Sequence, residues 1–225
     1  MFRITNTQNG PEPRSYRFIT VIGNVGAGKS TLTRMLSAQL NFDASFERAD
    51  TNPYLSDFYQ DQTKWGFHLQ MYFLAQRYRD LLKIQEAGRN HIQDRSIYED
   101  VSIFARALHE TGKMSDRDFG TYHDFFHTMV DRLIRPDLAI YLTGNIDTIL
   151  RRIAMRGRDS EKAVPVTYWA GLHARYDQFI GEYVQSPVLW VDIDRFDMFK
   201  HPEHLGLLAG EIRRFLGDEE SRAAV

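Results

Sequence analysis

One short pattern restricts the fold more than any other feature of this sequence. An apolar run at 17–22 leads into a glycine-rich stretch that ends in Gly28, Lys29 and Ser30, and a helix-forming segment follows at 29–40. This is the G-x-x-x-x-G-K-[ST] pattern, placed between a predicted strand and a predicted helix. Glycine allows positive φ, so successive N–H groups and the helix N-terminus can point at a bound phosphate. The pattern predicts a phosphate-binding loop for a nucleoside triphosphate.

The residues of this loop are candidates for holding the triphosphate. Lys29 can reach the β- and γ-phosphates, and the Ser30 hydroxyl can be a ligand of Mg²⁺. The predicted contacts are Gly23, Asn24, Val25, Gly26, Ala27, Gly28, Lys29, Ser30 and Thr31.

Strand-like and helix-like segments alternate along the rest of the chain. We predict strands at 17–22, 91–93, 136–142 and 187–191, and helices at 29–40, 62–87, 97–112, 115–134, 147–156, 167–183 and 202–216. Another strand precedes Phe46, within a stretch at 41–61 that is otherwise irregular. Such alternation predicts a three-layer α/β fold, with a central parallel sheet of about five strands flanked by helices. We expect a single domain over 1–225, with 1–15 and 218–225 disordered and a mobile lid at about 156–165.

Composition argues against several classes of protein. The 225 residues include no cysteine, which excludes disulfides, thiolate metal sites and a cysteine nucleophile. A formal net charge of −2 argues against broad nucleic-acid binding by charge alone, and it leaves room for a local basic patch. No apolar run approaches the length of a membrane-spanning helix, and the pattern of a signal peptide is absent. We therefore expect a cytoplasmic protein without membrane or nucleic-acid partners.

Charged side chains follow the predicted strands, at the edge where parallel α/β sheets bind ligands. Glu47 follows one strand, and the charged stretch 94–100 follows another. An arginine-rich stretch at 151–161 follows the fourth predicted strand and its helix. Phosphoryl transfer requires a carboxylate for the acceptor hydroxyl, a metal site and a cluster of cations, and these stretches supply all three.

Three arginines of the last stretch can form the cation cluster. Arg152 and Arg156 lie on one helix face by their spacing, and Gly157 ends the helix so that Arg158 can approach the same site. Planar guanidinium groups can bind phosphate oxygens in pairs, which lysine cannot do. The cluster followed by acidic residues is typical of a hinged lid.

Motifs in a fixed order from about 18 to 196 resemble the deoxynucleoside kinase family. They are Gly23–Ser30, Glu47, Asn52–Leu55 with Phe58 and Tyr59, Phe67–Gln70 with Arg77, Asp94–Asp100, Pro136–Leu138 and Arg156–Arg158. The resemblance implies a P-loop kinase fold and ATP-dependent phosphorylation of the 5′-hydroxyl of a deoxynucleoside, in nucleotide salvage. It also implies Mg²⁺ as cofactor and a homodimer.

The resemblance assigns catalytic roles to residues at matching positions. Glu47 matches the general base, and Arg95 matches the arginine that pairs with it and meets the transferred phosphate. Burial would raise the pKa of such a base, and the neighbouring arginine would oppose this. Asp94 matches the carboxylate on the Mg²⁺ side, beside Ser30. Lys29, Arg156 and Arg158 complete the implied catalytic set.

The resemblance also implies the contacts of the two substrates. Tyr59 and Glu161 match the pair that holds the sugar 3′-hydroxyl, and Gln70 matches the glutamine at the base edge. Arg77 and Asp100 match the pair that faces the base in relatives accepting purines, which favours deoxyadenosine or deoxyguanosine. The implied ATP contacts outside the loop are Arg152, Arg156, Asp194 and Phe196.

Some features depart from this pattern or leave alternatives open. Arg48 stands where the family has proline, and this extra cation could lower the pKa of Glu47. His123 and His127 have metal-ligand spacing. The zinc-protease pattern also has a glutamate between its two histidines, and there is none here, so we do not expect a metal at this pair. A thymidylate-type monophosphate kinase, or a catalytically inactive nucleotide-binding subunit, remains an alternative.

Overall fold

A mixed sheet lies at the centre of the computed structural model, which describes residues 1–7, 13–48, 51–158, 161 and 164–217. Within these residues the sheet has six strands in the order β1-β6-β5-β2-β4-β3. The strands are β1 Phe2–Thr5, β2 Phe18–Gly23, β3 Asp43–Ser45, β4 His91–Asp94, β5 Leu138–Thr143 and β6 Val188–Asp192. Strands β2 to β6 are parallel, and β1 runs antiparallel to β6 at one edge. The five parallel strands confirm the predicted α/β sheet.

Helices flank this sheet, as expected for strands joined by crossover connections. Over the described residues they are α1 Lys29–Leu40, α2 Leu55–Gln60, α3 Gln62–Ala87, α4 Ile97–Glu99, α5 Arg106–Glu110, α6 Asp116–Val130, α7 Ile146–Arg156, α8 Val166–Glu182 and α9 Glu203–Leu216. A π-helix, Asp100–Ala105, joins α4 to α5. None of these helices is both long enough and apolar enough to cross a membrane.

Strand β2 is the centre of the sheet, and its order of neighbours explains where the site lies. All six of its residues are buried, because it is covered on both faces. It pairs with β4 on one side and with β5 on the other, so the connections leave it in opposite directions. A crevice opens at the carboxyl ends of the strands at such a switch point. The phosphate loop follows β2 directly into this crevice.

The N-terminal segment corrects one expectation. Residues 1–15 were expected to be disordered, but Phe2–Thr5 forms the sixth strand by pairing with β6. The guanidinium of Arg3 lies 4.0 Å from the Trp190 ring centroid, and Trp190 Nε1 donates to Thr5 Oγ1 at 2.9 Å. These contacts involve residues far apart in the sequence, which is why no local pattern predicts them. Residues 8–12 and 218–225 lie outside the described residues.

Two further segments differ from the predicted elements. The stretch 41–61 contains helix α2 besides the expected short strand. The predicted helix 97–112 is divided by the π-helix, which begins at Asp100. Ser96 caps the start of α4. Its hydroxyl accepts from Tyr98 N at 3.1 Å, and the Glu99 carboxylate accepts from Ser96 N at 2.6 Å. A π-helical turn widens the backbone locally, and such turns are frequent at functional sites.

Candidate active site

One cleft lies at the carboxyl ends of the parallel strands. Its volume is about 1090 Å³, above the range of a typical pocket for one small molecule. Of the residues named from the sequence, those that line it are Val25, Gly26, Ala27, Gly28, Lys29, Ser30, Thr31, Glu47, Tyr59, Gln70, Arg95, Asp100, Arg152, Arg156, Arg158, Glu161, Asp194 and Phe196. The cleft is large enough for two ligands, and it brings most of the predicted site residues together.

The phosphate loop has the backbone that its glycines allow. Gly26 has φ +83° and Gly28 has φ +101°. A Cβ at Gly26 would lie 2.7 Å from Ile153 Cγ1 on α7, so only glycine fits there. Lys29 is buried, and its ammonium donates to Gly23 O at 2.8 Å and to Asn24 O at 3.0 Å. Burial, with the nearby Arg95, lowers the pKa of Lys29 to about 8.

Ser30 and Asp94 form a pair that fits a divalent cation. The Ser30 hydroxyl donates to one oxygen of the Asp94 carboxylate. The other carboxylate oxygen, Oδ1, is buried and has no hydrogen-bond partner among the described residues. Hydroxyl and carboxylate oxygens are the ligands that Mg²⁺ prefers, so the chemistry of this pair suits the predicted ion.

Glu47 lies between two buried arginines. Arg95 Nε donates to Glu47 Oε2 at 3.0 Å, and Arg77 Nη2 lies 3.6 Å from Glu47 Oε1. Burial raises the pKa of Glu47, but Arg95, Arg77 and Lys29 outweigh it and lower the pKa to about 2. The carboxylate is therefore ionised at neutral pH.

Arg48 does not take part in this cluster. Its guanidinium donates to Asp80 on α3 at 3.0 Å, and its side chain is 54% exposed. The contact directs Arg48 to α3 rather than to Glu47. The cations that lower the pKa of Glu47 most are Arg95, Arg77 and Lys29.

The structure also places Tyr59 beside Glu161. Glu161 is buried and binds Arg156 at 2.5 Å, with Arg158 at 3.9 Å. Burial, and then the charge of Glu161, raise the pKa of Tyr59 to about 12. Glu161 Oε2 is buried without a hydrogen-bond partner in the described part of the chain. Residues 159, 160, 162 and 163 of the expected lid lie outside that part.

Arg77 and Asp100 bind each other. Arg77 Nε donates to Asp100 Oδ2 at 2.8 Å, and Nη2 donates to Oδ1 at 3.3 Å. Arg77 Nη1 donates to the carbonyls of Asp94 and Arg95, both at 3.4 Å. Asp100 lines the cleft, whereas Arg77 is held by these buried partners. The pair is an ion pair at the cleft wall.

Gln70 is the polar side chain of α3 that faces the same region. It is 3% exposed and lines the cleft. A buried amide beside open space can bind a ligand through both its donor and its acceptor.

The residues predicted to hold ATP outside the phosphate loop line the same cleft. Arg152 donates to Ala27 O at 2.9 Å and to Ile193 O at 3.3 Å, so it links the phosphate loop to the segment after β6. Asp194 accepts from Asn145 N at 2.7 Å. Phe196 is 3% exposed, because its ring packs between Phe2 and His204.

Several lining residues were not named from the sequence. They are mostly apolar or aromatic, and include Phe73, Phe104, Met155, Tyr168, Trp169, Met198 and Phe199, with the cation Lys200. Arg151, which begins the arginine-rich stretch predicted to enter the cleft, also lines it. The aromatic residues have no pattern that distinguishes them from residues of the core.

Two histidine clusters lie outside the residues that line the cleft. His123 and His127 contact each other through Nε2 at 3.0 Å, and both are exposed. Among the described residues, His201, Glu203 and His204 are the group of three whose ligand atoms lie within 4.8 Å of one another. His123 and His127 thus lack a third metal ligand in the part of the chain described.

Comparison with known proteins assigns this chain to a family. The family model for deoxynucleoside kinase matches residues 19–217. The chain belongs to the deoxynucleoside kinase family. It is therefore a phosphotransferase enzyme, as the resemblance implied. Membership favours this activity over the monophosphate kinase and the inactive subunit.

Individual relatives of this deoxynucleoside kinase extend over most of its length. The deoxyadenosine/deoxycytidine kinase of Bacillus subtilis (strain 168) is 42% identical over 206 residues, 91% of this chain and 95% of that protein. The deoxyadenosine kinase of Dictyostelium discoideum is 40% identical over 190 residues, covering 83% and 75%. A solved structure of deoxyadenosine kinase from M. mycoides, with products dCMP and a flexible dCDP bound, matches with a TM-score of 0.78 at 31% identity, over 88% of this chain and 99% of that one.

Proposed function

We propose that this deoxynucleoside kinase transfers the γ-phosphoryl group of ATP to the 5′-hydroxyl of a deoxynucleoside, with deoxyadenosine or deoxyguanosine favoured. One observation carries the proposal: the Glu47 carboxylate, paired with Arg95 at 3.0 Å, lines the same cleft as the phosphate loop. A carboxylate for the acceptor and a loop for the donor are the two halves of a phosphoryl-transfer site.

Glu47 acts as the general base and Arg95 as its partner in this proposal. A carboxylate with a pKa of about 2 is ionised but only weakly basic. When the arriving phosphoryl group engages Arg95, Glu47 loses part of the charge that lowers its pKa. Its basicity then rises while it contacts the 5′-hydroxyl.

Cations from two sides neutralise the transferred group. Lys29 exchanges its loop carbonyls for the β- and γ-phosphate oxygens, and Arg156 and Arg158 approach from the lid. Ser30 and Asp94 would hold Mg²⁺, which would supply positive charge to stabilise the transferred phosphoryl group. Arg152 keeps the loop in place through Ala27 O.

The nucleoside occupies the end of the cleft near α3. Tyr59 and Glu161 bind the sugar 3′-hydroxyl, which gives the unpartnered Glu161 Oε2 a donor. Gln70 binds the base edge, and Asp100, supported by Arg77, offers an acceptor to an amino group. The names of the relatives support deoxyadenosine and add deoxycytidine as a second candidate.

A substrate panel tests this proposal. With ATP and Mg²⁺, we expect kcat/KM for deoxyadenosine or deoxyguanosine to exceed that for thymidine. The double variant Arg77→Met with Asp100→Ala removes the buried pair together, so neither charge is left alone. The ratio of kcat/KM for the purine to that for thymidine should fall, and this ratio cancels losses that affect both substrates. An unchanged ratio would remove the physical support for purine preference.

We also propose that the enzyme is a homodimer. The support is the family resemblance, and the test is sedimentation equilibrium over a range of protein concentrations. A monomer mass at all micromolar concentrations would contradict it.

A further inference from the structure

Arg95 has an unusual backbone for a side chain of its size. Its φ is +74°, in the left-handed region that residues other than glycine, asparagine and aspartate seldom adopt. Such a conformation persists only where the surroundings hold it, and it is often part of a site's function. The contacts around Arg95 therefore identify what keeps it in place.

Within the described residues, the Arg95 carbonyl accepts from Arg77 Nη1 at 3.4 Å, and four further groups hold Arg95. Its backbone N–H donates to Val21 O at 2.9 Å, and its Nε donates to Glu47. Its guanidinium carbon lies 4.6 Å from the Phe104 ring centroid. Its Nη1 donates to the Tyr176 hydroxyl at 3.2 Å. The Tyr176 contact was not predicted from the sequence, and it comes from helix α8 on another side of the site.

The Tyr176 hydroxyl leads on to a buried carboxylate. Tyr176 Oη donates to Glu99 Oε1 at 2.7 Å, and Glu99 is 0% exposed. The other oxygen, Glu99 Oε2, accepts from Ser96 N at 2.6 Å. Glu99 Oε1 also lies 3.5 Å from Gly23 N, at the start of the phosphate loop. A continuous line of polar contacts thus joins the phosphate loop to Arg95.

We propose that Tyr176 and Glu99 are positioning residues that couple the phosphate loop to Arg95. The hydroxyl accepts from Arg95 and donates to Glu99 at the same time, which a phenyl ring cannot do. Through the Tyr176 hydroxyl, Glu99 holds the Nη1 side of Arg95, while Glu47 holds its Nε. Arg95 is then shared between the two sides and is available to the phosphoryl group. This inference rests on the proposed role of Arg95.

The variant Tyr176→Phe tests this role, because it removes one oxygen and keeps the buried ring. We expect kcat to fall about tenfold or more, while KM for ATP and for the deoxynucleoside changes less than about threefold. Tyr183→Phe is the matched control, since this buried hydroxyl contacts Ser186 at 3.2 Å and lies outside the cleft lining. Tyr183→Phe should keep kcat within about twofold of the wild type, although its Tm changes by about as much as that of Tyr176→Phe.

Two results would overturn the inference. One is a kcat for Tyr176→Phe within about twofold of the wild type, and the other is an equal loss of kcat in the Tyr183→Phe control. Glu99→Gln, which keeps the shape and removes the charge, should lower kcat in the same direction and also leave KM little changed. Glu47→Gln separates this inference from the proposed function. If Glu47→Gln keeps full kcat, the proposed base is wrong; if it loses kcat while Tyr176→Phe does not, only the coupling is wrong.

Discussion

At the scale of single residues, the chemistry depends on how the charge of Glu47 is balanced. Three cations lower its pKa to about 2, although burial alone would raise it. The ordinary pKa of a glutamate is 4.5. Ionised Glu47 therefore stabilises the folded state fully above pH 4.5, and this stabilisation is lost as the pH falls towards 2. The carboxylate that we propose as the general base therefore also contributes to stability in acid.

Replacing Glu47 with glutamine tests both contributions. Glutamine keeps the shape but cannot accept a proton, so kcat should fall roughly 10²-fold or more, while the Kd of the deoxynucleoside changes far less. The free energy of unfolding, measured in urea, should also decline less steeply below pH 4.5 than in the wild type. The exposed Glu86→Gln serves as control and should alter neither. If Glu47→Gln weakens binding but keeps the rate, Glu47 is a binding residue rather than the base.

At the scale of elements, the phosphate loop depends on close packing against α7. Gly26 needs both positive φ and the space that Ile153 leaves it. The sequence predicts this loop well because the pattern is local. The sequence does not predict the π-helix at Asp100, because a widened helical turn has no distinguishing amino-acid pattern.

Two glycine variants separate strain from steric clash. Gly26→Ala and Gly112→Ala both place alanine at positive φ, +83° and +70° respectively. Only the first places a Cβ against Ile153, because nothing lies within 4 Å of the corresponding position at Gly112. We expect Gly26→Ala to weaken ATP binding by about tenfold or more, measured calorimetrically. Gly112→Ala should lower Tm by a similar amount to Gly26→Ala but leave ATP affinity unchanged. Equal ATP affinity in the two variants would mean that α7 does not shape the loop.

At the scale of the whole molecule, the parts that the sequence predicts are those with local patterns. The parallel strands, the long helix α3 and the loop before α1 all follow from periodicity and glycine spacing. Strand β1 does not, because its contact from Thr5 to Trp190 spans 185 positions. The mutual pairing of Arg77 with Asp100, and the contact of Arg95 with Tyr176, also depend on tertiary packing of distant helices. The fold was therefore more predictable than the connections inside its site.

The proposed sugar site combines residues from two parts of the chain. Tyr59 comes from α2 and Glu161 from the segment after α7, so a 3′-hydroxyl bound by both would join these two parts. A site built to bind a hydroxyl leaves polar groups unpaired when the hydroxyl is missing. A 2′,3′-dideoxynucleoside should therefore have a kcat/KM roughly 10²-fold or more below that of its 2′-deoxy parent. Tyr59→Phe should reduce the ratio of kcat/KM for the 2′-deoxy parent to that for the dideoxynucleoside, because it lowers kcat/KM for the parent alone. Tyr78→Phe, on α3 outside the cleft lining, should leave this ratio unchanged. Similar kcat/KM values for the two nucleosides in the wild type would show that Tyr59 and Glu161 do not bind the 3′-hydroxyl.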